Sequence, residues 1–248
     1  MSTAPTHPLA ADLPLFGLLL RTPRLALRPV WDEDIIGLAD AAVAGIHPAG
    51  QMPFVFPWSR APRAELLAGT AKSIWRERAG RTPDDWGVSF AVRRVDASVE
   101  HWWEAPVIGR QDVEASNFPL LRSVSTGSWL TASAQRQGLG QEMRHAVLLW
   151  AFTSLGASEA TSAAYAWNSN SLKASHAVGY EDNGVRRALG DGKMQGERHF
   201  RITPALHRRP EWELQISGDE PGILAELGVP DSTDVPGTDA PNTTDASA

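Results

Sequence analysis

Apolar and polar positions alternate over residues 24–30, RLALRPV, where Leu25 and Leu27 oppose Arg24 and Arg28. A period of two predicts a strand. The period lengthens in WDEDIIGLADAAVAG, where Ile35, Leu38 and Ala42 recur at helical spacing. Asp32 suits the N-cap of that helix, Asp34 its first turn and Gly45 its end. Residues 62–80 predict a second helix, with Pro62 in the first turn, a buried stripe at Leu66, Leu67, Thr70 and Ile74, and Gly80 at the stop. The loop between them, HPAGQMPFVFPWSRAP (47–62), carries four prolines together with Met52, Phe54, Phe56 and Trp58. A loop this apolar either packs under a domain or lines a pocket.

Strands follow at 86–94, 106–115 and 122–132, the first two joined by a turn or insertion at 95–105. Beyond a short loop, Met143, Val147, Trp150 and Ser154 share one side of a helix that Gly156 terminates. Residues 157–167 alternate small side chains as a strand, and a short helix from 168 stops at Gly179. Two last strands flank GDGK (190–193), a hairpin signal. The order β-α-α-β-β-β-α-β-α-β-β predicts one α/β domain over 13–216, a mixed sheet with helices on both faces.

Residues 13–20, LPLFGLLL, have no basic stretch before them and lead directly into the first strand, so they belong to the fold rather than to a signal peptide. Residues 1–12 are expected to be a flexible lead. No run approaches the ~18 apolar residues of a membrane span. A cytoplasmic protein without a membrane partner is expected.

Composition narrows the chemistry. The 248 residues include no cysteine, which excludes disulfides, thiolate metal sites and a cysteine nucleophile. The seven histidines are scattered, with no H-x-x-x-H pair, so no metal site is expected. The net charge of −6 is concentrated: residues 217–248 hold seven acids and neither Lys nor Arg. The body is close to neutral, which argues against a nucleic-acid surface. Residues 217–248 are rich in Pro, Gly, Ser, Thr and Asp, and are expected to form an acidic disordered tail.

The stretch QRQGLGQEMR (135–144) carries the strongest chemical signal. It follows a strand and opens a helix, so backbone N–H groups from Arg136 to Gln141 can converge at the positive end of a helix dipole. Gly138 and Gly140 let a ligand approach the backbone, and Arg136 can add a charge-assisted contact. A pyrophosphate fits that seat. A bare strand-to-helix turn would use the same glycines. G-x-x-x-x-G-K-[ST] and G-x-G-x-x-G are both missing, so neither a Walker loop nor a dinucleotide fold is supported.

Over residues 13–205 the chain resembles the Gcn5-related N-acyltransferase (GNAT) superfamily, in its RimJ/RimL-like branch. LRTPRLALRPV looks like that branch's opening strand, and QRQGLG matches its [RQ]-x-x-G-x-[GA] acyl-CoA motif. A second signature recurs as Asn168, Ser171 and Gly179-Tyr180. MPFVFPWSRAP, WRERAGRTPDDWGVSFAV and STGSWL look further like an actinobacterial subgroup of succinyl-CoA transferases.

The resemblance implies a GNAT fold: a twisted, mostly antiparallel mixed sheet flanked by helices on both faces. It implies acetyl-CoA or succinyl-CoA as co-substrate, no metal, and direct attack of an amine on the thioester. The backbone of Trp129, Leu130 and Thr131 would pair with the pantetheine; Arg136, Gln137, Gly138, Leu139, Gly140 and Gln141 would hold the pyrophosphate. Asn168 would cap the short helix, contact the pantetheine, or both. Ser175 takes the place of a tyrosine general acid found in many relatives and would hydrogen-bond the departing thiolate. Asp112 and Glu114, two apart on one strand face, are the candidate bases. A succinyl carboxylate would need a cation, Arg110 or Arg122. His145 and His176 read as surface or packing residues. The expected acceptor is a small-molecule amine; the alternatives are a protein N-terminus and a non-catalytic CoA-binding module. A homodimer is compatible with this reading.

Overall fold

The computed structural model describes residues 4–95 and 101–229. The elements run β1 (Leu19–Arg21), β2 (Leu25–Pro29), α1 (Asp32–Val43), α2 (Arg63–Ala79), β3 (Trp86–Arg94) and β4 (Val107–Ala115). They continue with α3 (Phe118–Leu121), β5 (Ser123–Leu130), α4 (Leu139–Thr153), β6 (Glu159–Tyr165) and α5 (Ser169–Val178). The last are β7 (Glu181–Gly190), β8 (Lys193–Ile202), β9 (Gln215–Ser217) and α6 (Glu220–Glu226). The strands form one mixed sheet in the order β7-β8-β6-β5-β4-β3-β2-β1-β9, and every pairing is antiparallel except β5 with β6.

Each face of the sheet is covered because its strands turn apolar side chains both ways. Leu25, Leu27, Phe90 and Val92 pack with Met143, Val147 and Trp150 of α4 in the main core. On the other face Ala91 and Val107 meet Ile35 and Leu38 of α1 and Ile74 of α2. All five residues of β2 are buried, as expected for a strand covered on both faces. Among the described residues no helix is long and apolar enough to cross a membrane.

Helix α1 starts one residue before the predicted place. Trp31 is the N-cap position, and the carboxylate that caps the turn is Asp34, which accepts from Trp31 N at 2.9 Å. The same carboxylate takes Arg28 Nη2 at 2.8 Å and Arg93 Nη2 at 2.6 Å. Burial opposes its ionisation, but the hydrogen bond from Arg28 and the charges of Arg93 and Arg28 prevail and hold its pKa below the usual carboxylate value.

The fold takes in the 13–20 run, with a strand not foreseen there, and extends beyond residue 216. Leu15, Leu18 and Leu20 are each at most 1% exposed, and 19–21 form strand β1. Within the expected flexible lead, His7 stacks on Phe16 at 4.1 Å. The expected tail is also corrected at its start. Gln215–Ser217 pair with β1, and Ile223 and Leu227 of the following segment enter the main core. Glu226 accepts from Leu15 N at 3.0 Å and pairs with Arg81 at 3.1 Å. Acid-rich composition conceals an apolar stripe at helical spacing, Ile223 and Leu227, whose burial offsets the ordering cost. Residues 230–248 lie outside the described residues.

The segment after β8 is fastened to α4 by two imidazoles, with His145 Nδ1 and His207 Nε2 at 2.9 Å. Burial, then the charges of His145 and Arg209, lower the pKa of His207 from 6.5 to about 4. A histidine with a depressed folded pKa binds fewer protons folded than unfolded, so its contribution is full above about pH 6.5 and is lost as the pH falls toward 4. Thermal stability should therefore weaken between about pH 7 and about pH 5 in the wild type and less steeply in His207→Gln. Parallel slopes for the two proteins would refute the assignment.

Candidate active site

Strands β5 and β6 pair in parallel over Ser123↔Glu159, Val124↔Ala160 and Ser125↔Thr161, and then part. Hydroxyls close the apex of the fork. Thr126 Oγ1 donates to Thr161 O at 3.2 Å, and Ser162 Oγ donates to Thr126 O at 3.0 Å. The phenol of Tyr180 lies 2.8 Å from Thr126 Oγ1 in the same buried place. Gly179 delivers Tyr180 there: its φ is +110°, and an added Cβ would stand 2.3 Å from Leu206 O. Beyond the apex, Gly127–Leu130 of β5 and Ser162–Ala164 of β6 form opposite walls of a cleft of about 500 Å³.

The glycine loop stands at one end of this cleft. Gln135 pins it: its Nε2 donates to Leu130 O at 2.8 Å and to Ile46 O at 2.5 Å. The chain then passes through φ values of 60° at Arg136 and 79° at Gly138 before α4 begins. Among the described residues, the amides of Arg136, Gln137, Gly138, Leu139 and Gly140 donate to no backbone carbonyl. Those of Gln141 and Glu142 both bond Gly138 O at 3.1 Å. These five N–H groups, at and just before a helix N-terminus, are the kind of donors that an anion seat requires.

A buried carboxylate fixes the seat from behind. Glu142 accepts from Thr22 Oγ1 at 2.6 Å, Arg24 N at 2.9 Å and Arg24 Nε at 2.7 Å. Arg24 in turn donates Nη1 to Gln137 O at 2.9 Å, and Arg94 donates to Gln137 Oε1 at 2.8 Å. These contacts tie the β1–β2 turn to the loop and bring arginine charge to its rim.

Of the other residues expected to serve the donor, Trp129, Leu130 and Asn168 line the cleft with Gly140. Asn168 also caps α5, accepting from Ser171 N at 3.3 Å. Thr131 is buried and its amide is spent on Ile108 O at 2.8 Å. Leu139 points into the core, while Arg136, Gln137 and Gln141 are exposed. Ser175 is 1% exposed and stands off the cleft wall, its Oγ accepting from Arg144 Nη1 at 2.6 Å.

The two candidate bases separate. Asp112 lines the cleft and holds Arg110 Nε at 2.5 Å. Glu114 faces a neighbouring cavity of about 390 Å³ with Glu77, and Arg110 borders both spaces. Desolvation, then the charges of Asp112 and Glu77, raise the pKa of Glu114. Arg122 is remote from the cleft and donates to Leu155 O and Gly156 O at the end of α4. His145 packs against His207, and the exposed His176 lies 3.2 Å from Tyr180 O.

The apolar loop before α2 becomes a cleft wall. Phe54, Trp58 and Trp129 form a chain of rings with centroids 4.9 and 5.8 Å apart. His47 also lines the cleft, its Nε2 2.8 Å from Ser59 Oγ. His47 and Arg144 were not singled out from the sequence, where no local pattern marks either one.

Residues 24–181 match the family model described as the acetyltransferase (GNAT) domain. The chain belongs to the GNAT acetyltransferase family. It is an N-acyltransferase that draws its acyl group from CoA. Its fold is similar to that of RimJ from Mycobacterium smegmatis in complex with CoA-disulfide, with TM-score 0.58 and 18% identity, over 77% of this chain and 90% of that one. RimL, a ribosomal alpha-N-protein acetyltransferase in complex with coenzyme A, aligns with TM-score 0.59 and 13% identity, over 73% and 95%. A chimeric spermidine N-acetyltransferase from Vibrio cholerae and hSSAT aligns with TM-score 0.54 and 15% identity, over 73% and 96%.

The two glycines of the acetyltransferase's loop serve different ends, and substitution should separate them. Gly138→Ala places a side chain in the left-handed region, with its Cβ 3.2 Å from Arg24 Nη2. It should cost about 1–2 kcal/mol of stability. At Gly140 an added Cβ meets only Leu130 Cδ1 at 3.8 Å. Gly140→Leu should therefore melt close to the wild type while losing CoA affinity by about tenfold or more, measured by calorimetry. Undiminished affinity in Gly140→Leu would show that the seat is not used.

Proposed function

We propose that the enzyme transfers an acetyl or succinyl group from CoA to the primary amine of a small molecule, an amino acid or a specialised metabolite. The forked strands carry this reading. They leave strand backbone free to hold the pantetheine arm, with the amide seat at one end for the pyrophosphate and an aromatic-walled space for the acceptor. Arg136 to Gln141 would hold the pyrophosphate, and Trp129, Leu130 and Asn168 the pantetheine. The reaction is direct attack in a ternary complex. The amine lone pair bonds to the thioester carbon, the C–S bond breaks with its electron pair on sulfur, and the amine loses one proton.

Asp112 is the better-placed base of the two expected, because it alone lines the cleft. It stands beside Arg110 in the space where an ammonium would shed a proton. Ser175 stands behind Arg144 and would reach the sulfur only through that side chain. Arg110 and Arg122 are occupied by Asp112 and by main-chain carbonyls, which favours acetyl over succinyl as the transferred group. The resemblance to succinyl-CoA transferases favours the opposite choice.

A second reading is acylation of a protein N-terminus. It is favoured by the likeness to RimL, a ribosomal alpha-N-protein acetyltransferase. A near-neutral body and an apolar cleft wall favour the small acceptor instead.

A thiol-release assay with acetyl-CoA and succinyl-CoA against amine and peptide panels decides among these. Turnover with a small amine is expected; turnover confined to peptides would establish the second reading, and silence throughout would leave a CoA-binding module. With the active pair, Asp112→Asn should lower kcat about 10²-fold or more with CoA affinity intact, whereas Glu114→Gln should change it only a few-fold, roughly the range for loss of a general base against loss of a bystander. Equal effects would remove Asp112 from the role.

A further inference from the structure

Arg144 lies one turn beyond Gly140 on α4 and lines the same cleft. It is 9% exposed. Arg24, Arg28, Arg93 and Arg110 each hold a carboxylate. Among the described residues Arg144 has none. Its partners are two hydroxyls of α5, Ser175 Oγ at 2.6 Å and Ser171 Oγ at 3.2 Å. Burial lowers its pKa from the usual guanidinium value, with only the phenol of Tyr180 acting against this. An arginine has five N–H donors, and two are used here. A guanidinium enclosed without an anion is costly to the free protein. That cost falls away if an anion enters the cleft.

We propose that Arg144 is the counter-cation of an anionic group on bound acyl-CoA, held ready by Ser171 and Ser175. This rests on reading the cleft as the acyl-CoA site. Two groups of that molecule carry the required charge. One is the diphosphate, since four residues of helix separate Arg144 from Gly140 by only about 6 Å of rise. The other is the sulfur, which takes up the electron pair as the C–S bond breaks. In either case Arg144 donates hydrogen bonds and keeps its proton.

Arg144→Met, Arg144→Lys and Ser175→Ala, each checked for fold by circular dichroism, test this. In the free state Arg144→Met should melt no lower than the wild type, because it removes an uncompensated charge. The rise in melting temperature on adding CoA should be smaller in Arg144→Met than in the wild type if the diphosphate is the partner. Affinity for CoA should then drop about tenfold or more, while affinity for acetyl-pantetheine, which lacks the diphosphate, stays unchanged. If the sulfur is the partner, ground-state affinities should stay within about threefold while kcat falls about tenfold or more with both donors. Arg144→Lys should recover part of either loss, and Ser175→Ala should lose less than Arg144→Met. The proposal is overturned if Arg144→Met binds and turns over as the wild type does. It is equally overturned if that variant melts lower without CoA and its folded fraction is fully active, since Arg144 would then be a helix-packing residue. Failure of the wild type to bind CoA would instead sink the acyltransferase reading on which this one stands.

Discussion

Strands β5 and β6 share only three residue pairs, and the main-chain groups beyond them need other partners. Most strands in a buried sheet could not tolerate such a gap. Here the apex is sealed by the hydroxyls of Thr126, Ser162 and Tyr180, and the outer edges stay paired, β5 with β4 and β6 with β8. The fork is therefore stiff on both sides and open only in the middle. A ligand arm with amide groups of its own can restore the missing rungs, in the way an added strand completes a sheet edge. The second sequence signature acquires a physical meaning from this place: Asn168 caps the helix beside the opening, and Gly179 turns Tyr180 into the apex.

The amide seat depends on the same arrangement. It lies after the last residue of β5, so the direction of that strand sets where the loop stands. Gln135 locks the loop to Leu130, and Glu142 locks it through Arg24 to the turn between β1 and β2. Residues separated by more than a hundred positions thus hold in place a loop whose five amides have no backbone acceptor among the described residues. Preorganisation of this kind removes the ordering cost from the binding step.

What could be read from the sequence follows how local each cause is. The strand and helix periods of α1, α2, α4 and the β7–β8 hairpin are local, and so is the Asp191-Gly192 turn with both φ values positive. The glycine loop was legible because left-handed backbone at a helix start calls for glycine itself. Segments that depend on distant partners were not legible. Strand β1 looks like a bare apolar run until β2 and β9 flank it, and α6 with its C-cap, Leu227, hides two core residues among acids. Within the site, Asp112 and Glu114 share a strand face but meet different cavities, because Arg110 stands between them. Arg144 could not be found at all from its neighbours in sequence. What sets it apart is that its partners among the described residues are hydroxyls and not a carboxylate, and that is a property of how α4 packs on α5.

The most direct measurement is a crystal structure of the protein with CoA. The expected density has diphosphate oxygens within about 3.2 Å of the amides between Gln137 and Gly140, and the pantetheine lying along Gly127–Leu130 in the fork. Density for the diphosphate elsewhere, with those amides facing solvent and the fork empty, would contradict it.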